Sequence, residues 1–146
     1  MEDRYGSHTV FNIEYHFVWV TKYRYQVLNG DVALRVCELV RQTCEAFEIH
    51  IIKGVVSKDH VHILVSAPPT MAPSEIMRRI KGRTSSKLFE DFPHLRKRFW
   101  GRHFWARGYF CASSGQVTDE MIKNYLDHHF ESKKDDDFRT DNDVST

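Results

Sequence analysis

Glu48-Ile49-His50-Ile51-Ile52-Lys53-Gly54-Val55-Val56-Ser57-Lys58-Asp59-His60-Val61-His62-Ile63-Leu64-Val65-Ser66-Ala67 is the stretch on which the fold turns. Two runs rich in Ile and Val, Glu48 to Val56 and His60 to Ala67, flank the polar Ser57-Lys58-Asp59, a pattern that predicts two antiparallel strands joined by a short hairpin-like connection. In the second run His60 and His62 are two apart, so their side chains point to one face of the strand while Val61 turns to the other. Two imidazoles on one face can share a metal ion, each using one ring nitrogen for the metal and the other for a fixing hydrogen bond. The same spacing also suits two partly exposed polar residues on the wet face of a half-buried sheet.

Working outward, Ile13-Glu14-Tyr15-His16-Phe17-Val18-Trp19-Val20 is aromatic and β-branched and reads as a largely buried strand. Gly30-Asp31 reads as a turn, and Val32, Val36, Leu39, Val40 and Phe47 follow helical spacing over Val32 to Phe47. Beyond the quoted stretch, Pro68-Pro69 ends the strand, and Pro73 suits the first turn of a helix carrying Ile76, Met77, Ile80 and Leu88. A basic connection from Pro93 to Arg102 leads to Phe104-Trp105-Ala106-Arg107-Gly108-Tyr109-Phe110, a candidate fourth strand, and then to a Ser113-Ser114-Gly115 turn. Thr118 can cap a last helix whose inward stripe is Met121, Ile122, Tyr125, Leu126 and His129. The expected fold is α+β: a split β-α-β-β-α-β plan, ferredoxin-like or RRM-like, with an antiparallel sheet, helices on one face, and an added C-terminal helix.

The length of 146 residues fits one domain, expected over residues 1–131 and followed by a polar tail, 132–146, expected to be disordered. A net charge of +1 suggests no affinity for polyanions, but the distribution matters more than the sum. Between Arg78 and Arg107 there are ten Lys and Arg against only Glu90 and Asp91, so the middle of the chain can face phosphates. Candidate phosphate contacts are Arg78, Arg79, Lys81, Arg83, Lys87, Arg96, Lys97, Arg98 and Arg102, with Trp100 and Trp105 as candidates for stacking on unpaired bases. Solvated charges and core tryptophans are the alternative for each of these residues taken singly. Cys37, Cys44 and Cys111 cannot all pair and offer no C-x-x-C motif, which suggests free thiols in a reducing compartment. The opening residues lack the apolar core of a signal peptide and no run approaches a membrane span, so the expected location is the cytoplasm.

Tyr125 and His129 are four apart and share one face of a helix, so a metal bound by His129 would hold a phosphate close to the tyrosyl oxygen. On an apolar stripe Tyr125 also reads as a core aromatic, and His128 as a solvent-facing neighbour or second-choice ligand.

At this point the chain resembles the single-tyrosine HUH (His-hydrophobic-His) transposases, which mobilise insertion sequences as single-stranded DNA. The resemblance covers nearly the whole chain. It is carried by Phe17-Val18-Trp19-Val20-Thr21-Lys22-Tyr23-Arg24, Ser57 to Val65 around His60-Val61-His62, Lys81-Gly82-Arg83-Thr84-Ser85-Ser86-Lys87-Leu88, Trp100 to Phe110, and Ile122-Lys123-Asn124-Tyr125. It implies that His60 and His62 bind a divalent metal, that Tyr125 attacks DNA, and that the third ligand is the residue four beyond it, His129. The family commonly has an amide such as Gln there. Mg²⁺ or Mn²⁺ is the implied cofactor, although three imidazoles would favour Mn²⁺, Co²⁺ or Zn²⁺ over Mg²⁺. The implied reaction passes through a 5′-phosphotyrosine, on DNA hairpins near the element's ends, in a homodimer. Asp59 and His16 are candidate supporting residues around the metal.

Two other readings suit parts of the pattern. The same plan serves non-catalytic modules that bind single-stranded nucleic acid on an open sheet, and three histidines could hold zinc in a hydrolase to which Tyr125 would be dispensable. A domesticated relative that nicks DNA without moving its own gene is a third.

Overall fold

The computed structural model describes residues 3–100, 103–113, 115 and 117–136, with side chains described as far as residue 128. A small hairpin of β1 (Arg4–Tyr5) and β2 (Val10–Phe11) precedes β3 (Glu14–Val20). A one-turn 3₁₀ helix (Lys22–Arg24), α1 (Gly30–Ala46), β4 (His50–Val56), β5 (His60–Ser66) and α2 (Pro73–Asp91) follow. The chain continues with α3 (Pro93–Arg98), β6 (Phe110–Ser113) and α4 (Asp119–Asp136). Four strands form an antiparallel sheet in the order β4-β5-β3-β6. The expected α+β architecture is therefore present. The described residues divide into two compact units, one running to residue 116 and the other containing α4.

Alternation along the two central strands sorts the sheet into two faces. Phe17 and Trp19 of β3 and Val61, Ile63 and Val65 of β5 are buried in one core with Val36, Leu39, Val40 and Cys44 of α1 and Ile76, Met77, Ile80 and Leu88 of α2. Each of the larger apolar side chains contributes roughly 1.5–3 kcal/mol by leaving water. His16, His60, His62 and Leu64 fall on the opposite face by the period of two and are half-buried. Val18 and Val20 share that face, opposite His62 and His60 in the register, and are fully buried. Cys44 is 1% exposed, and burial pushes its thiol pKa up to about 12.

Several local expectations are corrected. Gly30-Asp31 is not a separate turn: Gly30, at φ +51°, opens α1. The connection after Pro93 contains α3, which Pro93 starts and which buries Leu95. The expected fourth strand starts later than Phe104: Phe104 to Tyr109 is not strand, and β6 begins at Phe110. Trp105 makes an isolated bridge to Thr21, Gly108 takes φ +83°, and regular pairing with β3 begins only at Phe110, opposite Val18. Phe104 and Trp105 instead plug the core beside Phe89 and Phe99. Thr118 caps α4 as expected, its hydroxyl accepting the Met121 N–H at 3.2 Å, but Met121 itself is exposed. The helix runs to Asp136, and the part of the expected tail from residue 137 onward lies outside the described residues.

Candidate active site

The hairpin between β4 and β5 delivers Asp59 and His60 together. Nδ1 of His60 lies 2.9 Å from Oδ1 of Asp59, while Nε of Arg24 donates to Oδ2 at 2.8 Å. Burial alone would raise the Asp59 pKa, but the hydrogen bonds from His60 and Arg24, with their charges, outweigh it and hold the carboxyl below its usual range. The turn that brings Arg24 there is anchored at both ends. The Thr21 hydroxyl donates to the carbonyls of Tyr25 and Asp59, and the Thr21 N–H donates to Asp59 again. Tyr23 and Arg24 both have positive φ, 61° and 56°, an uncommon conformation for side chains of this size that costs on the order of 1–3 kcal/mol each. A network that fixes their surroundings lets them persist.

His62 stands two residues on, and its Nε2 lies 3.2 Å from Nδ1 of His16, the rings being tilted with centroids 5.4 Å apart. Burial first, then the charge of Lys53, lowers the His16 pKa against the opposing effect of Glu14, a shift that favours the neutral ring. The donors suit a divalent cation on the His60 side: a carboxylate on Nδ1 orients the ring and leaves Nε2 for ligation. On the His62 side the fit requires that His16 yield its contact with Nε2 or that His62 ligate through Nδ1. Among the described residues no third His, Cys, Asp or Glu completes a set of three with this pair. The side chain of His129 lies outside those residues. Tyr125 is half-buried on α4, with Leu126 half-buried beside it and His128 exposed.

The described basic candidates lie on two helices, α2 and α3. Arg78 and Arg79 both pair with Glu75, Arg83 bonds to Gln42 of α1, and Lys87 pairs with Glu90, all on the outside of the helical layer. Such exposed pairs contribute little to stability and leave the guanidinium groups open to exchange for phosphate. Arg96, Lys97 and Arg98 are exposed on α3, and the Arg98 guanidinium lies 4.1 Å from the centroid of the Tyr25 ring. Arg102 lies outside the described residues. Two of the expected DNA contacts have partners inside the protein, and for Trp105 burial overturns the expectation. Lys81 directs Nζ to the carbonyls of Ala106 and Gly108, at 2.9 and 2.8 Å, and burial lowers its pKa to about 8. Trp105 is 5% exposed and donates its indole N–H to the Thr84 hydroxyl at 2.8 Å, so it cannot stack on a base. Trp100, by contrast, is 85% exposed. Sequence reading missed Arg24 as a member of the site. The family-like run Lys22-Tyr23-Arg24 held the signal, but its two left-handed residues have no counterpart in local spacing.

The family model for IS200-like transposases matches residues 9–129. The transposase for insertion sequence element IS200 of Salmonella typhimurium strain LT2 is 35% identical over 128 residues, covering 88% of this chain and 84% of the relative. The ISDra2 transposase TnpA of Deinococcus radiodurans is 32% identical over 127 residues, covering 87% and 91%. A solved structure described as a transposase from Deinococcus radiodurans R1 superposes with a TM-score of 0.80 at 30% identity, covering 86% of this chain and 96% of that one. A REP-associated tyrosine transposase bound to a REP hairpin shares the fold, with a TM-score of 0.54 at 14% identity over 90% and 78% of the two chains. With the histidine pair on its strand, the tyrosine on its terminal helix and these matches along most of its length, the chain belongs to the IS200-like family of single-tyrosine HUH transposases, proteins of DNA transposition.

Proposed function

We propose that this transposase cuts and rejoins single-stranded DNA at insertion-sequence ends through a 5′-phosphotyrosine on Tyr125, with a divalent metal held by His60, His62 and His129. The observation that carries this reading is the run of contacts from Arg24 through Asp59 to His60, on the strand face that His62 shares. An imidazole buttressed by a carboxylate in this way is the arrangement found behind metal-ligating histidines.

The Tyr125 hydroxyl loses its proton and attacks a DNA phosphorus in line. The bond from phosphorus to the 3′ oxygen breaks, and the departing strand leaves as a 3′-hydroxyl after taking up a proton. Attack of a 3′-hydroxyl on the phosphotyrosine reverses the exchange, so rejoining needs no other energy source. When bound, the metal, Mg²⁺ or Mn²⁺, supplies Lewis-acid polarisation of a non-bridging phosphate oxygen. Asp59 fixes the His60 ring, and His16 is a positioning residue for His62. The substrate class follows from the family reading and from the relative bound to a REP hairpin, which suggests a DNA hairpin beside the cut. A homodimer in which one subunit's Tyr125 serves the other's histidines is part of the proposal.

The test is incubation with labelled single-stranded oligonucleotides carrying the element's ends, with and without Mg²⁺ or Mn²⁺. The expected result is a denaturation-resistant protein–DNA adduct that requires metal and is abolished by Tyr125→Phe and by His60→Ala. Mixing those two variants restores adduct formation if the tyrosine acts across the dimer. Free cleavage products undiminished in Tyr125→Phe would replace this reading with that of a metal-dependent hydrolase.

A further inference from the structure

We propose that Tyr23 and Trp100 form a stacking site for one unpaired DNA base, in a cavity of about 270 Å³ that they line together with Lys22, Phe99 and His103. The inference rests on the single-stranded-DNA reading above and deepens it by naming where the strand is gripped. Trp100 is 85% and Tyr23 42% exposed, a large apolar surface left in water on two residues that border one cavity. Both take the left-handed backbone conformation, at φ 59° and 61°, which bulky side chains rarely adopt and which clusters at binding sites.

The surroundings make the site rigid. Phe99 is buried and packs with Tyr25, Phe89 and Phe104, at ring-centroid distances of 5.1, 6.0 and 5.0 Å, which provides a fixed apolar floor. The Trp100 N–H donates to the Lys97 carbonyl at 3.1 Å, tying the tryptophan's backbone to the end of α3. Tyr23 lies against Tyr25 with centroids 5.4 Å apart, and Lys22 Nζ is 5.2 Å from the Tyr23 ring centroid. Exposed aromatic side chains beside the Lys22 ammonium match an unpaired base and an adjoining phosphate, because every base offers a π-face and its backbone a negative charge. A base inside a duplex is already stacked and cannot enter.

Position gives the site a role beyond affinity. Arg24, the next residue after Tyr23, grips Asp59, which in turn holds His60. The base held at Tyr23 is thereby in a fixed register with the histidine pair through one anchored turn, so the cavity helps set which phosphate reaches the metal.

The experiment measures fluorescence anisotropy of the full chain with a labelled, unpaired oligonucleotide of about 16 nucleotides, intact or with one abasic residue moved stepwise along it. Trp100→Ala and Tyr23→Asn are expected to weaken binding of the intact strand by about 5- to 150-fold each, the range of one lost base stack. Trp100→Phe keeps most of the affinity. Trp100 is exposed and Asn tolerates positive φ, so both variants should fold, which circular dichroism checks. At one position the abasic strand should bind wild type weakly yet bind Trp100→Ala no worse than the intact strand does. Wild-type affinity in both variants, or abasic losses of equal size in wild type and Trp100→Ala at every position, would overturn the stacking site while leaving the single-strand reading intact. Failure of wild type to bind any unpaired strand would overturn both.

Discussion

Asp59 uses its two carboxylate oxygens for two different partners, and its value lies in that division. Replacing it with Asn keeps the shape but removes the charge that orients His60 and neutralises Arg24. Asp59→Asn is therefore expected to lower Mn²⁺ affinity by about 10- to 100-fold in isothermal titration calorimetry. Unchanged affinity would mean that His60 needs no support. Lys81 gives a second prediction at this scale. Burial holds its folded-state pKa at about 8 against an ordinary 10.5, so between those values the folded protein binds fewer protons than the unfolded chain. Stability then rises with pH through that window, because a buried charge that costs free energy below about pH 8 is shed. Urea melts should show wild type gaining on Lys81→Met from pH 8 toward pH 10, and a flat difference would refute the assignment. His60 and His62 were legible in the sequence because strand alternation is a local rule. Arg24 was not, since its partner lies 35 residues away and only the closed sheet brings them together.

Among the elements, α2 and the segment after α3 are joined by the Lys81 contacts to Ala106 and Gly108 and by a fully buried hydrogen bond from the Trp105 indole to Thr84, whose own hydroxyl donates to Ile80. Thr84→Val keeps the volume but leaves the indole N–H without its acceptor, at a cost of about 1–3 kcal/mol in chemical denaturation. A loss well below that would mean that the indole finds another acceptor. The same segment explains where sequence reading failed. An aromatic run such as Phe104 to Phe110 carries the composition of a strand whether its backbone pairs or its side chains fill a core, and composition does not separate the two. Pairing was refused because Gly108, at φ +83°, breaks the extended path before β6. The short helix α3 was hidden for another reason: six residues with one buried apolar position give too little periodicity to read.

At the scale of the molecule, the sheet separates two tasks. Helices α1 and α2 cover the face bearing Phe17, Trp19 and Val61, and the histidines occupy the other, so packing and chemistry do not compete for the same side chains. This division was legible from alternation at His60-Val61-His62 in β5, and so was the order of the main elements. The β1–β2 hairpin was not, because strands of two residues leave no pattern. No helix among the described residues is long and apolar enough to cross a membrane. The covered face has one more consequence, through Cys44, sealed at 1% exposure on the inner side of α1. Only a thiolate reacts with an alkylating reagent, and burial pushes this thiol up to about 12. Iodoacetamide should therefore modify Cys44 only in molecules whose interior has momentarily parted, while half-exposed Cys37 is modified from the intact fold. Followed by mass spectrometry, the ratio of the two labelling rates is an internal stopwatch for how often the protein breathes.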